Sequence, residues 1–288
     1  MSQLTVTSSY LKPQNADKNE EEEEAAKDEI RKLRENELSW VQEKRVVMLI
    51  DESLENLKHC CAKLNLGSKC DERLQIPVLQ TTTEKYSLTP RQGAQDTLKA
   101  SVTLLDDNVI QAEVSIKYPK AGGGYFRAVA QPDVQWKLQQ LQDLGNYISR
   151  VTIAFCDLKD QLTHMSVYTN DSGKRVLEDL RQIKNELCLA RASIQLPRKR
   201  SLLELCYFPP TRKFVPQLPQ DQLLSFYISS CRLVCASYQM VPKTVHPQGL
   251  SVFMAECRLP YLDEILRRLN HTMNSVQRLI GYIEIYQN

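Results

Sequence analysis

The sequence is poor in the residues and segments that mark metal enzymes, membrane spans and nucleic-acid binding. Its 288 residues include four histidines, none at the HExxH spacing or beside a cysteine pair at zinc-finger spacing. The longest apolar run, Val46–Ile50, is five residues, far short of a bilayer-spanning helix. The formal net charge of +2 leaves no electrostatic footprint for a nucleic-acid partner. We therefore expect no transmembrane segment, no nucleic acid and no metal centre.

Glycine is also scarce, with 9 residues against 13 prolines, which is typical of a chain rich in long helices. The first thirty residues are polar and then acidic, and they do not resemble a signal peptide. The cysteines are odd in number and irregularly spaced, so we expect free thiols in a reducing, intracellular setting. They are Cys60, Cys61, Cys70, Cys156, Cys188, Cys206, Cys231, Cys235 and Cys257.

The sequence does contain four stretches in which apolar residues recur mainly at steps of three and four. This 3.5-residue period indicates a helix that packs along another helix through one apolar stripe, which we call its seam. The clearest seam spans Val134–Leu162, after Pro132, and carries polar residues on its opposite face. The others cover 33–64, 176–194 and 262–283. The first has Leu33, Trp40, Val47, Leu54 and Cys61 at every seventh position and Gly67 as its predicted stop.

Between the first two seams the apolar period changes to two, which predicts strands with one face on a core. Leu98–Leu104 and Ile110–Tyr118 alternate in this way. A three-residue loop, Asp106–Asn108, joins them, and we expect Asn108 in the left-handed conformation. A two-residue loop would set apolar against polar residues. The predicted register pairs Leu104 with Ile110, Val102 with Ala112 and Ala100 with Val114.

Three further segments complete the prediction of secondary structure. Gly122–Gly124 is interpreted as a turn, since no Gly-Lys-Ser/Thr and helix follow to form a phosphate loop. Tyr125–Ala130 and Leu250–Cys257 are predicted strands. The stretch from Pro219 or Asp221 to Gln239 is a predicted helix, with Leu224, Tyr227, Cys231, Val234 and Tyr238 on one face.

A seam helix cannot bury its apolar stripe alone in water, so the seams must pack together. The predicted fold class is α+β: an elongated two-domain protein with an antiparallel four-helix bundle, closed by the terminal helices, and a smaller β-rich domain. Two chains sharing one bundle remain possible. The expected divisions are a disordered acidic tail at 1–28, a bundle from 29–66, 131–196 and 259–288, and a β-containing domain from 70–130 and 200–258.

Two clusters of cysteines have sequence spacings that resemble those of metal ligands. Cys60 and Cys61 follow His59, but adjacent helical residues point about 100° apart. Cys231 and Cys235 stand four apart, a spacing that equally describes an apolar stripe. We therefore expect no catalytic residue, no metal ligand and no cofactor, although a catalytic group assembled from separated residues stays open.

Two charged clusters invite functional interpretations. Arg198, Lys199 and Arg200 precede Ser201 and read as a solvated loop, with a targeting signal or a phosphorylation site as alternatives. The acidic run Glu20–Glu24 reads as a solvated tail, with docking of a basic partner as the alternative. The same run stands where a zipper protein that binds DNA would need a basic helix, which excludes that class.

Three blocks of this chain resemble the rogdi family of leucine-zipper-like proteins. They lie in the family's order and the resemblance extends from about Leu38 to the C-terminus. The blocks are DVQWKLQQLQD from Asp133, LPQDQLLSFYISSCRLVCASYQM from Leu218 and ECRLPYLDEILRRLNHTMNSVQRL from Glu256.

The resemblance implies a non-catalytic adaptor in the RAVE, or rabconnectin, assembly. Its main partner there is a very large subunit bearing β-propellers, and the assembly promotes joining of the cytosolic sector of the vacuolar proton-pumping ATPase to its membrane sector. Localisation is then cytoplasmic, peripheral to endomembranes, with links to synaptic vesicles and the nuclear envelope. The alternative is a small-molecule-binding protein or an unrecognised enzyme, with a pocket between the bundle and the β domain.

The placement of two seams at the chain ends adds a mechanical expectation. Helix 33–64 should pack antiparallel against helix 262–283, so that the two ends of the chain hold the helices together. Loss of residues after about Asn270, or arginine at Leu266, should then destroy the fold.

Overall fold

The computed structural model describes residues 14–67, 69–77, 82–91, 96–118, 124–132, 136–165, 167–198, 201–207, 213–242, 244 and 249–287. The helices are α1 Gln14–Trp40, a π-helical stretch Val41–Val46, α2 Val47–Lys63, a 3₁₀ turn Glu72–Leu74, α3 Gln139–His164, α4 Asn170–Gln195, α5 Leu202–Tyr207 and α6 Pro260–Gln287. The strands are β1 Thr83–Pro90, β2 Leu98–Leu105, β3 Asn108–Lys117, β4 Tyr125–Ala130, β5 Trp136–Lys137, β6 Phe214–Val215, β7 Gln222–Ser229, β8 Arg232–Met240 and β9 Leu250–Arg258.

The first helical rod runs from α1 through the π-helical stretch into α2, and α1 includes the acidic run 20–24. The predicted seam is wrong at Leu33 and Trp40, which are both 59% exposed. One cause is the π-helical stretch, which widens the turn and rotates the buried face relative to a constant period. The other is position: Leu38 and Gln287 both lie against Gly173 at the start of α4. Residues 23–37, all exposed, therefore extend past the neighbouring helix ends.

The two helices at the chain ends pack antiparallel, as the end-placed seams predict. Arg268 Nη1 on α6 donates to Asn56 Oδ1 on α2 at 3.1 Å. One turn along, His271 Nε2 lies 3.6 Å from Glu52 Oε1. Residue numbers therefore rise along α6 where they fall along the facing side of α2, so the two helices run in opposite directions.

A curled antiparallel sheet forms the other part of the fold. Its strands follow the order β6-β4-β3-β2-β1-β9-β8-β7, and β5 pairs with β3 beside this path. Strands from both sides of the helical segment 139–195 therefore join one sheet. At the meeting of β1 and β9, Thr89 pairs with Glu256. The buried Glu256 Oε1 accepts hydrogen bonds from Arg91 at 3.0 Å and from Arg232 at 2.6 Å, which ties β8 and β9 to the residue after β1.

The predicted helix from Asp221 to Gln239 is wrong, because this segment forms the hairpin of β7 and β8. Both faces of this hairpin are largely buried, so apolar residues do not alternate with polar ones and the period of two is hidden. Ser230 and Cys231 form its turn with φ of 50° and 59°, a backbone that matches the twist of a two-residue hairpin.

The β2–β3 hairpin confirms two of the predicted register pairs and corrects the third. A bulge between Thr103 and Leu104 shifts the register, so that Leu104 opposes Val109. Asp106, with φ of 53°, takes the left-handed conformation that we expected at Asn108. The confirmed pairs are Ala100↔Val114 and Val102↔Ala112.

The side-chain amide of Gln140, in the first turn of α3, joins the helices to the sheet. Its Oε1 accepts from the Ile228 N–H at 2.8 Å, and its Nε2 lies 2.6 Å from the Ile228 carbonyl. The same nitrogen lies 3.0 Å from the Ser193 carbonyl and 2.8 Å from the Leu196 carbonyl at the end of α4. Gln140 thus pairs with β7 as a neighbouring strand would, and it also satisfies carbonyls at a helix end.

The turn between β7 and β8 also joins the sheet to the end of α4, here through backbone N–H groups of the sheet. Ser230 N–H donates to the Gln195 carbonyl at 3.0 Å, and Cys231 N–H donates to the Ile194 carbonyl at 2.9 Å. The last carbonyls of α4, which have no partner within the helix, are therefore capped by backbone from the sheet.

The expected architecture, an elongated protein with an antiparallel four-helix bundle and a smaller β-rich domain, is wrong. The fold is α+β, and its curled antiparallel sheet is a major element rather than an appendage to a bundle. Buried side chains of α2, α3, α4, α6 and the strands form one hydrophobic core. The seam pattern could not reveal this, because it reports that a helix face is buried and not what covers it.

Packing of α6 into this core can be tested with two isoleucines of the same helix. Ile283 is fully buried and Ile285 is 67% exposed. We expect Ile283→Ala to lower the free energy of unfolding by about 2–5 kcal/mol, since it removes buried methyl groups and leaves a cavity. Ile285→Ala should change it by less than about 0.5 kcal/mol. Urea unfolding of both variants measures this, and equal losses would contradict the assigned packing.

Replacement of Gln140 should lower the free energy of unfolding by more than the loss of a single hydrogen bond would, because its side chain makes several. Gln140→Leu replaces the amide by an apolar side chain and leaves the Ile228 N–H and three carbonyls without their partner. Because each buried unsatisfied group costs about 1–3 kcal/mol, we expect a loss of about 3–5 kcal/mol and faster hydrogen exchange at Ile228. The control is Gln139→Leu, which removes a bond to Asp143 at a half-buried position. A Gln140→Leu variant as stable as this control would show that the connection is dispensable.

Candidate functional site

A cavity among the described residues lies where the helices meet the sheet. Its volume is about 320 Å³. The end of α2, β1, the β2–β3 turn and the first turns of α3 and α6 form its walls. This is the boundary at which the alternative functional interpretation expected a pocket. We therefore take the cavity and the residues around it as the candidate functional site.

The end of α2 builds one wall through a specific helix cap. Leu66 N–H donates to the Cys61 carbonyl at 2.9 Å, and Asn65 N–H donates to the Ala62 carbonyl at 3.1 Å. Asn65 has φ of 52°, and these bonds together define a Schellman motif. The predicted stop at Gly67 is therefore wrong: Asn65 takes the left-handed position, which asparagine tolerates better than most residues.

Polar groups on the cavity walls are arranged with opposite charges on different elements. Lys63 and Lys69 belong to the α2 side, while Glu84 and Asp106 belong to the sheet side. Asn65 Oδ1 is buried and has no hydrogen-bond partner among the described residues. An orphaned acceptor on a cavity wall is a place where a water or a ligand donor is accommodated.

Two tyrosines complete the sheet side of the cavity. The Tyr86 hydroxyl donates a hydrogen bond to Glu84. Burial is the larger cause, and this bond the smaller one, of the raised pKa of Tyr86. Burial also raises the pKa of Tyr261, with the charges of Glu84 and Asp106 adding to the effect. The raised pKa keeps both phenols protonated near neutral pH, and that of Tyr86 donates a hydrogen bond.

A pair of thiols lies directly behind the wall formed by the end of α2. Cys70 Sγ donates a hydrogen bond to Cys61 Sγ at 3.1 Å, and Cys61 Sγ lies 3.9 Å from Thr152 Oγ1 on α3. The hydrogen bond with Cys70, and then burial, raise the pKa of Cys61. The same bond lowers the pKa of Cys70 against the effect of burial, and Ser149 adds to the lowering. The two thiols are thus chemically unequal.

The segment after Cys70 is held on α3 by an ion-pair network. Arg73 donates to Asp71, whose carboxylate also accepts from the Arg73 backbone N–H at 2.9 Å. On α3, Arg73 contacts Asp157 at 2.7 Å and also Asp160. The guanidinium hydrogen bond lowers the pKa of Asp71. This anchoring gives Cys70 a defined position opposite Cys61.

The cysteine clusters singled out in the sequence take other roles. His59 Nε2 lies 3.1 Å from Glu264 Oε1, while Cys60 is buried and burial raises its pKa to about 12. Cys235 lies inside β8 with a pKa raised by burial. Cys231 lies in the β7–β8 turn, where its Sγ donates to the Leu262 carbonyl at 3.7 Å. In the described part of the chain, no group of three or more His, Cys, Asp or Glu side chains is placed to hold a metal ion.

Parts of the other predicted motifs lie outside the described residues. These parts are Gly122 and Gly123 of the predicted turn, Lys199 and Arg200 of the basic cluster, and Val134 at the start of the clearest seam. Ser201 caps α5: its backbone N–H donates to Glu204 Oε2 at 2.7 Å, and its Oγ accepts from the Glu204 N–H at 3.2 Å.

Exposed apolar side chains mark two surfaces away from the cavity. On β9, Val252 and Met254 are 46% and 45% exposed, and on α1 Ile30 accompanies Leu33. Apolar groups that remain in water on a folded chain are candidate contacts for partners. Among the residues that the structure describes, no helix combines the length and the apolar character needed to span a bilayer.

Comparison with known proteins places this chain among named relatives. The model of the family "Rogdi leucine zipper containing protein" matches residues 37–280. "Protein rogdi homolog" of Caenorhabditis elegans is 62% identical over 286 residues, which is 97% of each chain. "Protein rogdi" of Drosophila melanogaster is 30% identical over 76% of this chain and 79% of its own. The Homo sapiens "Protein rogdi homolog" is 27% identical over 67% of this chain and 74% of its own.

Two helical glycines test the packing of the cavity wall. A Cβ on Gly145 of α3 would lie 3.0 Å from Leu66 Cδ2, whereas a Cβ on Gly281 of α6 would meet nothing within 4 Å. Gly281→Ala should raise the free energy of unfolding by about 0.5–1 kcal/mol through helix propensity. Gly145→Ala should gain nothing, because Leu66 must move. Thermal unfolding compares them, and equal gains would contradict the close approach of α3 to Leu66.

Proposed function

The chain belongs to the family of Rogdi leucine-zipper-containing proteins, and from this membership we propose that it is a non-catalytic adaptor. Its role is to hold larger proteins together on its exposed faces. The observation that carries the proposal is the 62% identity, over 97% of both chains, to a rogdi homolog. Identity of this extent covers both the helices and the sheet, so the relative offers the same elements for contacts.

The assembly that we propose for it is a RAVE-like, or rabconnectin, complex. Its partners there are a large subunit bearing β-propellers and the cytosolic sector of the vacuolar proton-pumping ATPase. By promoting assembly of the pump, the adaptor supports acidification of organelles. Its proposed location is the cytoplasm at the periphery of endomembranes, with a nuclear or nuclear-envelope pool.

The surfaces described above support an adaptor role in physical terms. The exposed part of α1 extends past the helices that pack on α6, and β9 presents Val252 and Met254 to solvent. Burial of such side chains by a partner contributes about 25 cal/mol for each Å² of apolar area removed from water. Because the two surfaces lie on different elements, a change in one can be made without touching the other.

Affinity purification of the tagged full-length protein from its own cells, followed by mass spectrometry, tests the proposal. We expect recovery of a β-propeller subunit together with cytosolic pump subunits. Parallel samples carry Ile30→Asp with Leu33→Asp, or Val252→Asp with Met254→Asp. Leu189→Asp on α4, an equally apolar and 46% exposed position, is the control.

The outcomes separate the family assignment from the function. Loss of the pump subunits in one double variant, with recovery kept in the control, assigns the docking surface and supports the proposal. Recovery of a clean monomer from cells with an active pump contradicts the adaptor role. Luminal pH of the organelles, measured in cells lacking the protein, provides an independent check.

A second candidate function is binding of a small molecule, with or without an associated reaction. The observation that favours it is the 320 Å³ cavity with the orphaned Asn65 Oδ1 on its wall. A thermal-shift screen of the isolated protein tests this function. Stabilisation by a compound that is lost in Asn65→Gly, which keeps the left-handed backbone, would support it.

A further inference from the structure

We propose that Cys61 and Cys70 are a site of reversible oxidation, at which peroxide closes an intrachain disulfide between the end of α2 and the segment after it. The geometry comes from the backbone. The helix cap bonds Leu66 N–H to the Cys61 carbonyl, and the chain then turns so that Cys70 N–H donates to the Leu66 carbonyl at 3.1 Å. Two residues nine apart are thereby brought to a sulfur–sulfur distance of 3.1 Å.

The pairing is selective among the nine cysteines. Among the hydrogen bonds of the described residues, the one between Cys70 and Cys61 joins two cysteine sulfurs. Cys60, next to Cys61, is separated from it by about 100° around the helix axis. Cys231 Sγ contacts a backbone carbonyl, and Cys188 Sγ contacts Met273 Sδ at 3.7 Å. Proximity therefore favours one disulfide over the others.

The two thiols also have the unequal chemistry that a stepwise oxidation requires. Cys70 is 7% exposed and Cys61 is 0% exposed, so Cys70 is the first that an oxidant reaches. Lys69, the residue before Cys70, lies on the wall of the cavity. The lowered pKa of Cys70 increases its thiolate fraction, and the thiolate is the nucleophile in such reactions. In the neutral pair the Cys70 thiol donates to Cys61. Once Cys70 is ionised the direction of this bond reverses, so that Cys61 keeps its proton and donates to the Cys70 thiolate.

The oxidant is hydrogen peroxide, and the two steps balance. In the first step the Cys70 sulfur attacks one peroxide oxygen, the O–O bond breaks, and the departing hydroxide takes a proton to become water. In the second step the Cys61 sulfur attacks the sulfenic sulfur of Cys70, the S–O bond breaks, and the leaving hydroxide takes the Cys61 proton. Two thiols lose two electrons in total, and one peroxide becomes two waters.

The disulfide would act on the candidate functional site, because residues 62–69 lie between the two cysteines. Asn65, Leu66 and Lys69, which line the cavity, belong to this segment. A short closed loop restricts the local openings that let backbone amides exchange with solvent. Oxidation should therefore slow hydrogen exchange at the Leu66 amide by about tenfold or more.

Peptide mapping of the oxidised full-length protein tests the site directly. Reduced protein is treated with hydrogen peroxide, blocked with iodoacetamide and digested with trypsin. We expect the peptides His59–Lys63 and Cys70–Arg73 to appear linked. Their mass should be that of the two reduced peptides less two hydrogens, plus one carbamidomethyl group on Cys60. Dithiothreitol should separate them.

Matched variants identify the sulfur that forms the bond, since the first peptide carries two cysteines. Cys61→Ser and Cys70→Ser should each abolish the linked species, while Cys60→Ser should leave its yield unchanged. Circular dichroism melting of each variant establishes that the fold is intact. The linked peptide in the unmodified protein is itself the primary result, so a variant that fails to fold does not remove the test.

Two outcomes would overturn the proposal. One is a disulfide that survives Cys61→Ser and is lost in Cys60→Ser. The other is peroxide-treated protein without the linked peptide, whether Cys61 and Cys70 both still react with iodoacetamide after unfolding or Cys70 has proceeded to sulfinic acid.

Discussion

One side-chain amide links the helices to the sheet. Gln140 stands at the start of α3, pairs with the backbone of Ile228 on β7 and binds carbonyls at the end of α4. A strand edge and a helix end each leave polar backbone groups that cannot be buried unpaired, and here one side chain satisfies both. The helices can therefore pack directly against the sheet. One hydrophobic core extends across this boundary, and the cavity lies at the same boundary, against the first turns of α3.

Much of the helical structure could be predicted because a helix buried on one face leaves a readable period. The seams of α3, α4 and α6 coincide with buried residues such as Ile148, Leu187 and Ile280. The prediction failed where burial has no period, as in β7 and β8, and where the backbone departs from regular geometry, as at Val41–Val46. The overall architecture failed for a different reason: Gln140 looks like any polar residue at the edge of a seam, and its partners are up to 88 positions away.

The candidate site was predictable in place but not in composition. A boundary between helices and strands is where pockets form, and the period changes near residue 70. The helix cap and the thiol pair of this site are placed by local backbone geometry, which the pattern of apolar residues does not indicate. An asparagine followed by a leucine after a helical seam is the signal that could have located the cap; glycine, the more usual residue at such a cap, stands two residues further on, at Gly67. Cys70 lay outside every seam, so nothing in the pattern paired it with Cys61.

The π-helical stretch has a consequence for how this chain varies over evolutionary time. It lies just after Leu38, where the packed part of the first helical rod begins; residues 23–37 before it have exposed side chains, and the family match begins at residue 37. Gain or loss of one residue ahead of Leu38 turns that exposed helical arm by about 100° about its axis. No core side chain has to move. The arm can therefore present a new face to its surroundings through single-codon steps that leave the folded body unchanged.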